Sequence, residues 1–295
     1  MRSSVKKLAR VNLEDVNLDL TVVIVGANGE LGLEFASQLQ KKSVRVIQIT
    51  RSNWALLQNR TVELKKELTG CYVIIAVGSN SKNRVIDIES NVIATRKSVM
   101  FANYVDAKKV IHLSTGGLNV TSEHEELNSI YLETKAISEF ILHTECTRPF
   151  EIMRLFFPIG PNQKSGRLIP SIYTNLRKGY PIKMRSDGGH LLTLTNRSEA
   201  VDWILSNTFS DLQSVEKNID VASGFNHSVS EIVNDLLSVI PGIQPLIEYD
   251  EGLKDCINPP TPGYKWSRVD IQGLGVALGA TDLCTSSYQE NSSKK

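Results

Sequence analysis

Neither sign of charge dominates this sequence of 295 residues, in which 33 lysines and arginines stand against 32 aspartates and glutamates. The formal net charge is +1, and no long block of like charges occurs. Proteins that bind nucleic acid or anionic membranes through electrostatics carry a basic patch or tract. The composition therefore predicts no nucleic-acid partner and no membrane partner.

Cysteine is scarce, and long apolar runs are absent. The four cysteines, Cys71, Cys146, Cys256 and Cys284, are far apart and form no Cys-x-x-Cys pair, and the five histidines are scattered. This spacing predicts neither a metal site nor a thioredoxin-like redox pair. No run of about 18 apolar residues offers a membrane-spanning helix, and residues 1–20 contain no apolar run of signal-peptide length. We therefore expect a cytoplasmic protein.

Short apolar segments alternate with segments of helical spacing in the first half of the chain. Residues 21–25 are apolar and β-branched and stop at a glycine, which is typical of a strand buried on both faces. A helix is predicted at 30–42 and a second strand at 44–49. Further strands are predicted at 72–77, 110–113 and 151–157, and helices at 62–68, 88–105 and 131–144. The alternation predicts an α/β fold with a Rossmann-like, doubly wound parallel sheet.

The room between residues 51 and 72 is too small for a full strand and helix, so we expect the usual third strand to be abbreviated or irregular. From Gly160 onward the sequence becomes rich in turn signals, which indicates a boundary. We predict an N-terminal extension at 1–20, a Rossmann NAD(P)-binding domain at 21–160, a smaller, mainly substrate-binding part at 161–282 with some segments returning to the Rossmann sheet, and a flexible, serine-rich tail at 283–295.

A glycine-rich segment separates the first predicted strand from the first predicted helix. Its spacing, Gly-x-x-Gly-x-x-Gly, allows a sharp turn, a close approach of backbone N–H groups to a pyrophosphate and tight packing of the helix. The partial positive charge at the helix N-terminus favours the same anion. The residues predicted here to bind a dinucleotide are Gly26, Asn28, Gly29, Glu30, Leu31 and Gly32.

The residues after the second predicted strand bear on the choice of cofactor. A site for NAD usually has Asp or Glu about 20 residues after the glycine segment, where the carboxylate binds the ribose 2′-hydroxyl. This chain has Arg51 and Ser52 there instead. An arginine can pair with a 2′-phosphate through two hydrogen bonds, and a serine can donate a third. We therefore predict a preference for NADP(H), with NAD(H) as the alternative.

A second motif combines Tyr131 and Lys135 with Thr115 at the end of the 110–113 strand. Tyrosine at position i and lysine at i+4 lie on one face of a helix, where the ammonium can lower the pKa of the phenol from about 10. The tyrosine can then act as a general acid or base near neutral pH. The Thr115 hydroxyl is predicted to hold the substrate oxygen whose charge changes as a hydride moves.

Together these motifs resemble the extended short-chain dehydrogenases/reductases of the NAD-dependent epimerase/dehydratase family, over about residues 21–282. Asn91, followed by Thr95, is similar to the family's helix after strand four, in which an asparagine helps order the active site. Residues 154–161, Arg-Leu-Phe-Phe-Pro-Ile-Gly-Pro, resemble its sixth strand and the following turn. The segment 197–201 resembles the acidic segment after the family's substrate loop.

The resemblance implies a catalytic triad of Thr115, Tyr131 and Lys135, in which Lys135 also contacts the nicotinamide ribose. It implies further cofactor contacts by Val77, Asn91 and Phe157. Because helical pairing surfaces are common in the family, it also implies a homodimer.

Some positions depart from the family pattern. Phe157 stands where the family often has asparagine, and Leu192 stands where many members have an arginine for a sugar-nucleotide diphosphate. Gly116 and Gly117 follow Thr115, where dehydratases of the family have an Asp-Glu pair, so dehydration is the least expected reaction.

The sequence thus predicts an NAD(P)-dependent enzyme that moves a hydride to or from a carbonyl or secondary alcohol, with a sugar or nucleotide sugar as the expected small-molecule substrate. Reduction and epimerisation use the same triad, so ketoreductase and epimerase both stay open. The alternative is a non-catalytic NADP(H)-binding redox sensor or scaffold protein. The intact set of Thr115, Tyr131 and Lys135 argues against this alternative, and the weakened sugar-phosphate features argue for it.

Overall fold

The computed structural model describes residues 20–81, 83–119, 130–161, 163, 165–185, 188–189, 191–209, 217–250 and 265–279. Residues 1–19 of the predicted extension and the predicted tail at 283–295 lie outside the described residues. The described chain divides into two compact units. Residues up to 156 and from 197 to 221 belong to the first, and residues 157–196, 222–250 and 266–279 to the second.

The strands are β1 (Thr21–Val25), β2 (Arg45–Ile49), β3 (Tyr72–Ile75), β4 (Lys109–Thr115), β5 (Phe150–Leu155), β6 (Pro158–Ile159), β7 (Ile182–Arg185), β8 (Leu191–Thr193), β9 (Thr195–Asn196), β10 (Lys217–Val221), β11 (Asn226–Ser228) and β12 (Ile247–Asp250). The helices are α1 (Glu30–Lys41), α2 (Val62–Leu68), α3 (Arg84–Asp87), α4 (Ala94–Tyr104), α5 (Ile130–Glu145), α6 (Leu168–Lys178), α7 (Arg197–Thr208), α8 (Val229–Ser238) and α9 (271–279).

The first unit is built on a six-stranded sheet with the order β10-β5-β4-β3-β1-β2, in which every pair of neighbours is parallel. The chain runs from β1 outward to β2 and then crosses to β3 on the other side of β1. Ligands of open parallel sheets bind beyond the carboxyl ends of the strands at such a reversal. The predicted α/β fold with a doubly wound parallel sheet is confirmed, and the topology points to the turn after β1.

The segment between β2 and β3 contains a 3-10 turn (Arg51–Gln58) and α2, with no strand. The predicted helix at 62–68 is confirmed. The usual third strand, expected to be abbreviated or irregular, is absent from this segment, so β2 forms an edge of the sheet.

The predicted helix at 88–105 is wrong in its start and its regularity. Helical residues begin at Arg84, because the Asn83 side chain accepts hydrogen bonds from the backbone of Val85 and Ile86. A π-helical turn, Ile88–Ile93, then leads into α4. Such turns are rare and frequently occur at functional sites.

The second unit has a core of its own, formed by α6, α8, the 271–279 helix and short strand pairs. Strand β7 pairs with β12, β8 with β11, and β6 with β9. Helix α8 begins with a capping box in which Ser228 and Glu231 bind each other's backbone N–H groups. Within the ranges given above, no helix is both long enough and apolar enough to span a membrane.

Candidate cofactor and active site

The turn after β1 depends on a glycine at position 26. Gly26 has a φ of +87°, and its backbone N–H donates to the carbonyl of Ile49 at 2.9 Å. A Cβ atom here would lie 2.9 Å from the carbonyl carbon of Ala76 and from the nitrogen of Val77. Since these are backbone atoms, only glycine fits, and the turns after β1, β2 and β3 meet at one place.

A second glycine brings α1 against this turn. A Cβ atom on Gly32 would lie 2.3 Å from the Gly26 carbonyl oxygen and 2.8 Å from the Cα of Ala27. The helix therefore packs closer to the turn than any side chain permits, as the glycine spacing predicts.

Helix α1 begins at Glu30 with Gly29 as its N-cap, and a glycine supplies no side-chain hydrogen bond to the first turn. The first N–H groups of a helix have no partner within the helix, and together with the macrodipole they favour an anion. Asn28 is exposed beside this end, and Leu31 is partly buried. The glycine turn after β1 and the N-terminus of α1 thus fit the pyrophosphate of a dinucleotide, which is the role predicted for these residues.

Hydrogen bonds fix the conformation of the chain just after β2. The Thr50 N–H donates to Asn53 Oδ1 at 2.7 Å, Asn53 Nδ2 donates to the Gln48 carbonyl at 2.8 Å, and the Thr50 and Ser52 hydroxyls are 2.8 Å apart. Arg51 and Ser52 are exposed. In the described part of the chain, no hydrogen bond or ion pair engages the Arg51 guanidinium, so its charge faces solvent beyond the strand end.

The predicted triad lies on β4 and α5, which pack against each other. Thr115 is the last residue of β4 and is partly exposed, and its Oγ1 accepts a hydrogen bond from the Gly117 N–H at 3.2 Å. Tyr131 lies in the first turn of α5, where it is also partly exposed. Lys135 follows one helical turn later, on the same face of the helix.

Lys135 is buried at the carboxyl ends of two strands. Its Nζ donates to the carbonyl of Leu113 at 2.8 Å and to that of Val77 at 3.4 Å. A Cβ atom on Gly78 would lie 3.4 Å from this Nζ. Burial lowers the pKa of Lys135 to about 8, against the opposing effect of the Glu139 carboxylate. The ammonium therefore remains the main form at neutral pH.

Asn91 lies in the π-helical turn and is fully buried. Its Oδ1 accepts from the Ser79 N–H at 2.8 Å, while its Nδ2 donates to the Ser79 carbonyl at 2.9 Å and to Thr134 Oγ1 at 2.8 Å. These bonds join the loop after β3 to α5 at the residue before Lys135. They match the ordering role that the family resemblance implies for Asn91.

A charged network beside the triad was missed by sequence reasoning. The buried carboxylate of Glu139 accepts from Ser114 Oγ at 2.5 Å and from Arg154 at 3.0 and 2.6 Å. Arg154 also donates to Asn119, which donates to Asp220. The available signal was Glu139 itself, four residues after Lys135 and therefore on the same helical face.

His112 is a buried histidine of β4. Its Nε2 lies 2.9 Å from the hydroxyl of Ser138, and burial together with the charge of Lys135 holds its pKa well below the ordinary value. Among the residues with described positions, no three His, Cys, Asp or Glu side chains are grouped in a way that could hold a metal ion.

Phe157 and Leu192, the two positions that depart from the family pattern after residue 156, belong to the second unit, whereas the segment 197–201 belongs to the first. Phe157 has a φ of +37°, an unusual backbone for a residue with a side chain. Leu192 is buried in the core of this unit, and Tyr180 is exposed. Arg268 lies 3.7 Å from a carboxylate oxygen of Glu231.

Solved structures show the same fold at low sequence identity. The UDP-glucuronic acid 4-epimerase from Bacillus cereus in complex with NAD aligns with a TM-score of 0.71 and 16% identity, over 88% of this chain and 96% of its own. The UDP-glucose 4-epimerase from Thermotoga maritima with UDP-glucose gives 0.68 and 15%, over 90% and 100%. The Bordetella bronchiseptica enzyme WbmG in complex with NAD gives 0.69 and 15%, over 89% and 94%.

The comparison with curated proteins gave no match. The model of the NAD dependent epimerase/dehydratase family, by contrast, matches residues 22–206. This stretch contains the glycine turn, the strand ends and the Tyr-x-x-x-Lys helix. Because the match extends over more than half of the 295 residues, the chain belongs to the NAD dependent epimerase/dehydratase family of enzymes.

Proposed function

We propose that the protein binds NADP(H), or alternatively NAD(H), at the carboxyl edge of the first unit's sheet and transfers a hydride to or from a carbonyl or secondary alcohol. One observation carries this proposal. Lys135 is buried and donates hydrogen bonds to the carbonyls of Val77, just after β3, and Leu113, near the end of β4. Tyr131, one helical turn earlier, is partly exposed. A tyrosine one helical turn before a buried ammonium, on the same face of α5, suits proton transfer beside a nicotinamide.

The proton chemistry belongs to three side chains. When bound, the nicotinamide cofactor supplies or accepts the hydride. The Tyr131 hydroxyl donates a proton to the substrate oxygen as a carbonyl is reduced, and its phenolate takes the proton back when an alcohol is oxidised. The positive charge of Lys135 stabilises that phenolate. The Thr115 hydroxyl donates a hydrogen bond to the reacting oxygen as its negative charge grows.

The triad is tested by comparing Tyr131→Phe with Tyr104→Phe. Tyr104 is on α4, and its hydroxyl donates to the Arg60 carbonyl at 2.6 Å, so it controls for the loss of a tyrosine hydroxyl. Tyr131→Phe is expected to lower kcat by about 10² to 10⁴ and to leave the Kd for NADPH unchanged, while Tyr104→Phe keeps the parent kcat. If the parent binds the cofactor but turns over no substrate, the non-catalytic sensor or scaffold is the better reading.

The preference for NADP(H) is supported by Arg51 and Ser52, which are exposed where β2 ends. Two of the solved structures named above, the Bacillus cereus epimerase and WbmG, are complexes with NAD, so NAD(H) is the competing choice. NADPH and NADH are titrated into the parent, Arg51→Ala and Lys66→Ala, the last of which removes an exposed cation from α2. A loss of about tenfold or more in NADPH affinity, in Arg51→Ala alone, supports the preference. Equal affinity of the parent for both cofactors contradicts it.

The proposed substrate is a sugar, including a nucleotide sugar. This choice is supported by the family and by the similarity of the fold to a UDP-glucuronic acid 4-epimerase and a UDP-glucose 4-epimerase. Incubation with UDP-glucose or UDP-glucuronic acid and a trace of cofactor, followed by NMR of the sugar, detects epimerisation. Stoichiometric consumption of NADPH with keto-sugars detects reduction instead.

We also propose a homodimer that pairs through α4 and α5. These helices pack against each other, and both expose apolar side chains, namely Met100 on α4 and Ile137 and Phe140 on α5. Ile93, the last residue of the π-helical turn before α4, is exposed as well. Phe140 is 65% exposed. Analytical ultracentrifugation is expected to give a dimer for the parent and a monomer for Phe140→Glu; a monomeric parent contradicts the proposal.

A further inference from the structure

Helix α1 carries an acid at the end where the proposed cofactor phosphates bind. Glu30 is its first residue, and the Glu30 carboxylate lies 3.4 Å from Nη1 of Arg197, the first residue of α7. Both side chains are largely buried, with exposures of 14% for Glu30 and 8% for Arg197. The ion pair therefore lies at the first residue of α1 and is largely shielded from solvent.

Other polar contacts hold α7 against α1. Ser198 Oγ donates to Glu34 Oε1 at 2.9 Å, and Gln38 Nε2 donates to the Ser198 carbonyl at 2.9 Å. Glu30, Glu34 and Gln38 are spaced four residues apart and share one face of α1. Because Ser198 is bound by the second and third of these, the start of α7 has attachments to α1 besides the ion pair.

The position of Glu30 creates an electrostatic conflict. The N-terminus of a helix attracts one negative charge, and a carboxylate in the first turn competes for the same partial positive charge as a bound pyrophosphate. Two like charges this close repel each other strongly where burial lowers the effective dielectric constant. An opposing cation is needed for the turn to accept a dinucleotide.

We infer that Arg197 is an affinity-determining residue, which neutralises Glu30 and so allows the N-terminus of α1 to bind the cofactor pyrophosphate. This role rests on the cofactor site proposed above. It extends the cofactor site to a residue 167 positions away in the chain, which pairs with the first residue of α1.

The test measures the Kd for NADPH in the parent, Glu30→Gln, Arg197→Gln, the Glu30→Gln/Arg197→Gln double variant and Glu34→Gln. Glu34→Gln is the matched control, since it removes the same charge from the same face about 6 Å further along the helix. We expect Glu30→Gln to bind NADPH about tenfold more tightly and Arg197→Gln about tenfold more weakly. The double variant is expected within about threefold of the parent, and Glu34→Gln within about twofold.

The thermal unfolding midpoint of each variant without ligand shows whether a change in NADPH affinity comes from the altered charge or from a loss of stability. If Arg197→Gln fails to fold, Glu30→Gln and the double variant still test the inference, because the double variant removes both charges and leaves neither one buried without its partner. The inference is overturned if Glu30→Gln binds NADPH no more tightly than Glu34→Gln while the parent binds well. If the parent binds neither NADPH nor NADH, the proposed cofactor site fails, and the inference fails with it.

Discussion

Replacing Gly26 by alanine tests the turn on which the cofactor site is built, and Gly70→Ala provides its control. Both glycines have a positive φ, +87° at Gly26 and +78° at Gly70. A Cβ atom at Gly26 would meet backbone atoms of Ala76 and Val77 at 2.9 Å, whereas a Cβ at Gly70 meets nothing within 4 Å. The pair separates the cost of left-handed backbone from the cost of a close backbone approach.

The expected magnitudes follow from these two terms. A residue with a Cβ in the left-handed region costs about 1–2 kcal/mol, and the stiffer unfolded chain returns about 0.4–1 kcal/mol. Gly70→Ala is therefore expected to lower the free energy of unfolding by about 1 kcal/mol. At Gly26 the neighbours have little freedom, since the Ala76 N–H donates to the Val25 carbonyl at 2.8 Å. Overpacking adds about 1–3 kcal/mol, for a total of about 2–4 kcal/mol.

Urea unfolding followed by tryptophan fluorescence measures the loss in the free energy of unfolding for each variant, and titration with NADPH measures the change in cofactor affinity. Gly26→Ala is expected to weaken NADPH binding as well as stability, because the displaced turn no longer presents the first N–H groups of α1. Gly70→Ala is expected to leave the affinity for NADPH unchanged. Equal destabilisation by the two substitutions would falsify the close-approach argument, and unchanged NADPH affinity in Gly26→Ala would place the cofactor elsewhere.

Three further substitutions test other parts of the structure. Burial holds the pKa of Lys135 at about 8 instead of 10.5, so between these pH values the unfolded chain binds more protons than the folded chain and the free energy of unfolding rises with pH. Lys135→Met removes this group and is expected to abolish about 2 kcal/mol of the rise in the free energy of unfolding between pH 7.5 and 9.5, measured by urea unfolding. Asn91→Ala leaves the partners of Asn91 at Ser79 and Thr134 without these hydrogen bonds and is expected to cost about 1–3 kcal/mol in urea unfolding. A loss below about 0.5 kcal/mol, the usual range of surface substitutions, argues against a structural role for the Asn91 hydrogen bonds. Ser228→Ala removes the α8 cap and is expected to cost about 1 kcal/mol; no change in the urea midpoint contradicts that.

The amino-acid sequence determined the fold class and most of the elements that carry the site. Buried parallel strands are short continuous apolar runs, and helices repeat every 3.6 residues, so residues 21–25 and 62–68 were predicted correctly. The glycine spacing indicated a turn, and the structure leaves no room for a side chain at Gly26 or Gly32 of that turn. The helix beginning at Arg84 was missed, because its start depends on a side-chain cap and its course on a π-helical turn.

Only the tertiary structure decided which polar groups meet around these elements. Lys135 binds carbonyls 22 and 58 residues away, Asn91 binds Thr134 at a separation of 43, and Arg197 meets Glu30 at a separation of 167. Helical spacing places a side chain on a face, but the residue opposite it is set by the packing of sheet and helices. The sequence by itself therefore determined the glycine turn and the Tyr131–Lys135 pair, which are local in the chain. The burial that lowers the lysine pKa and the ion pair between Arg197 and Glu30 exist only once the chain has folded.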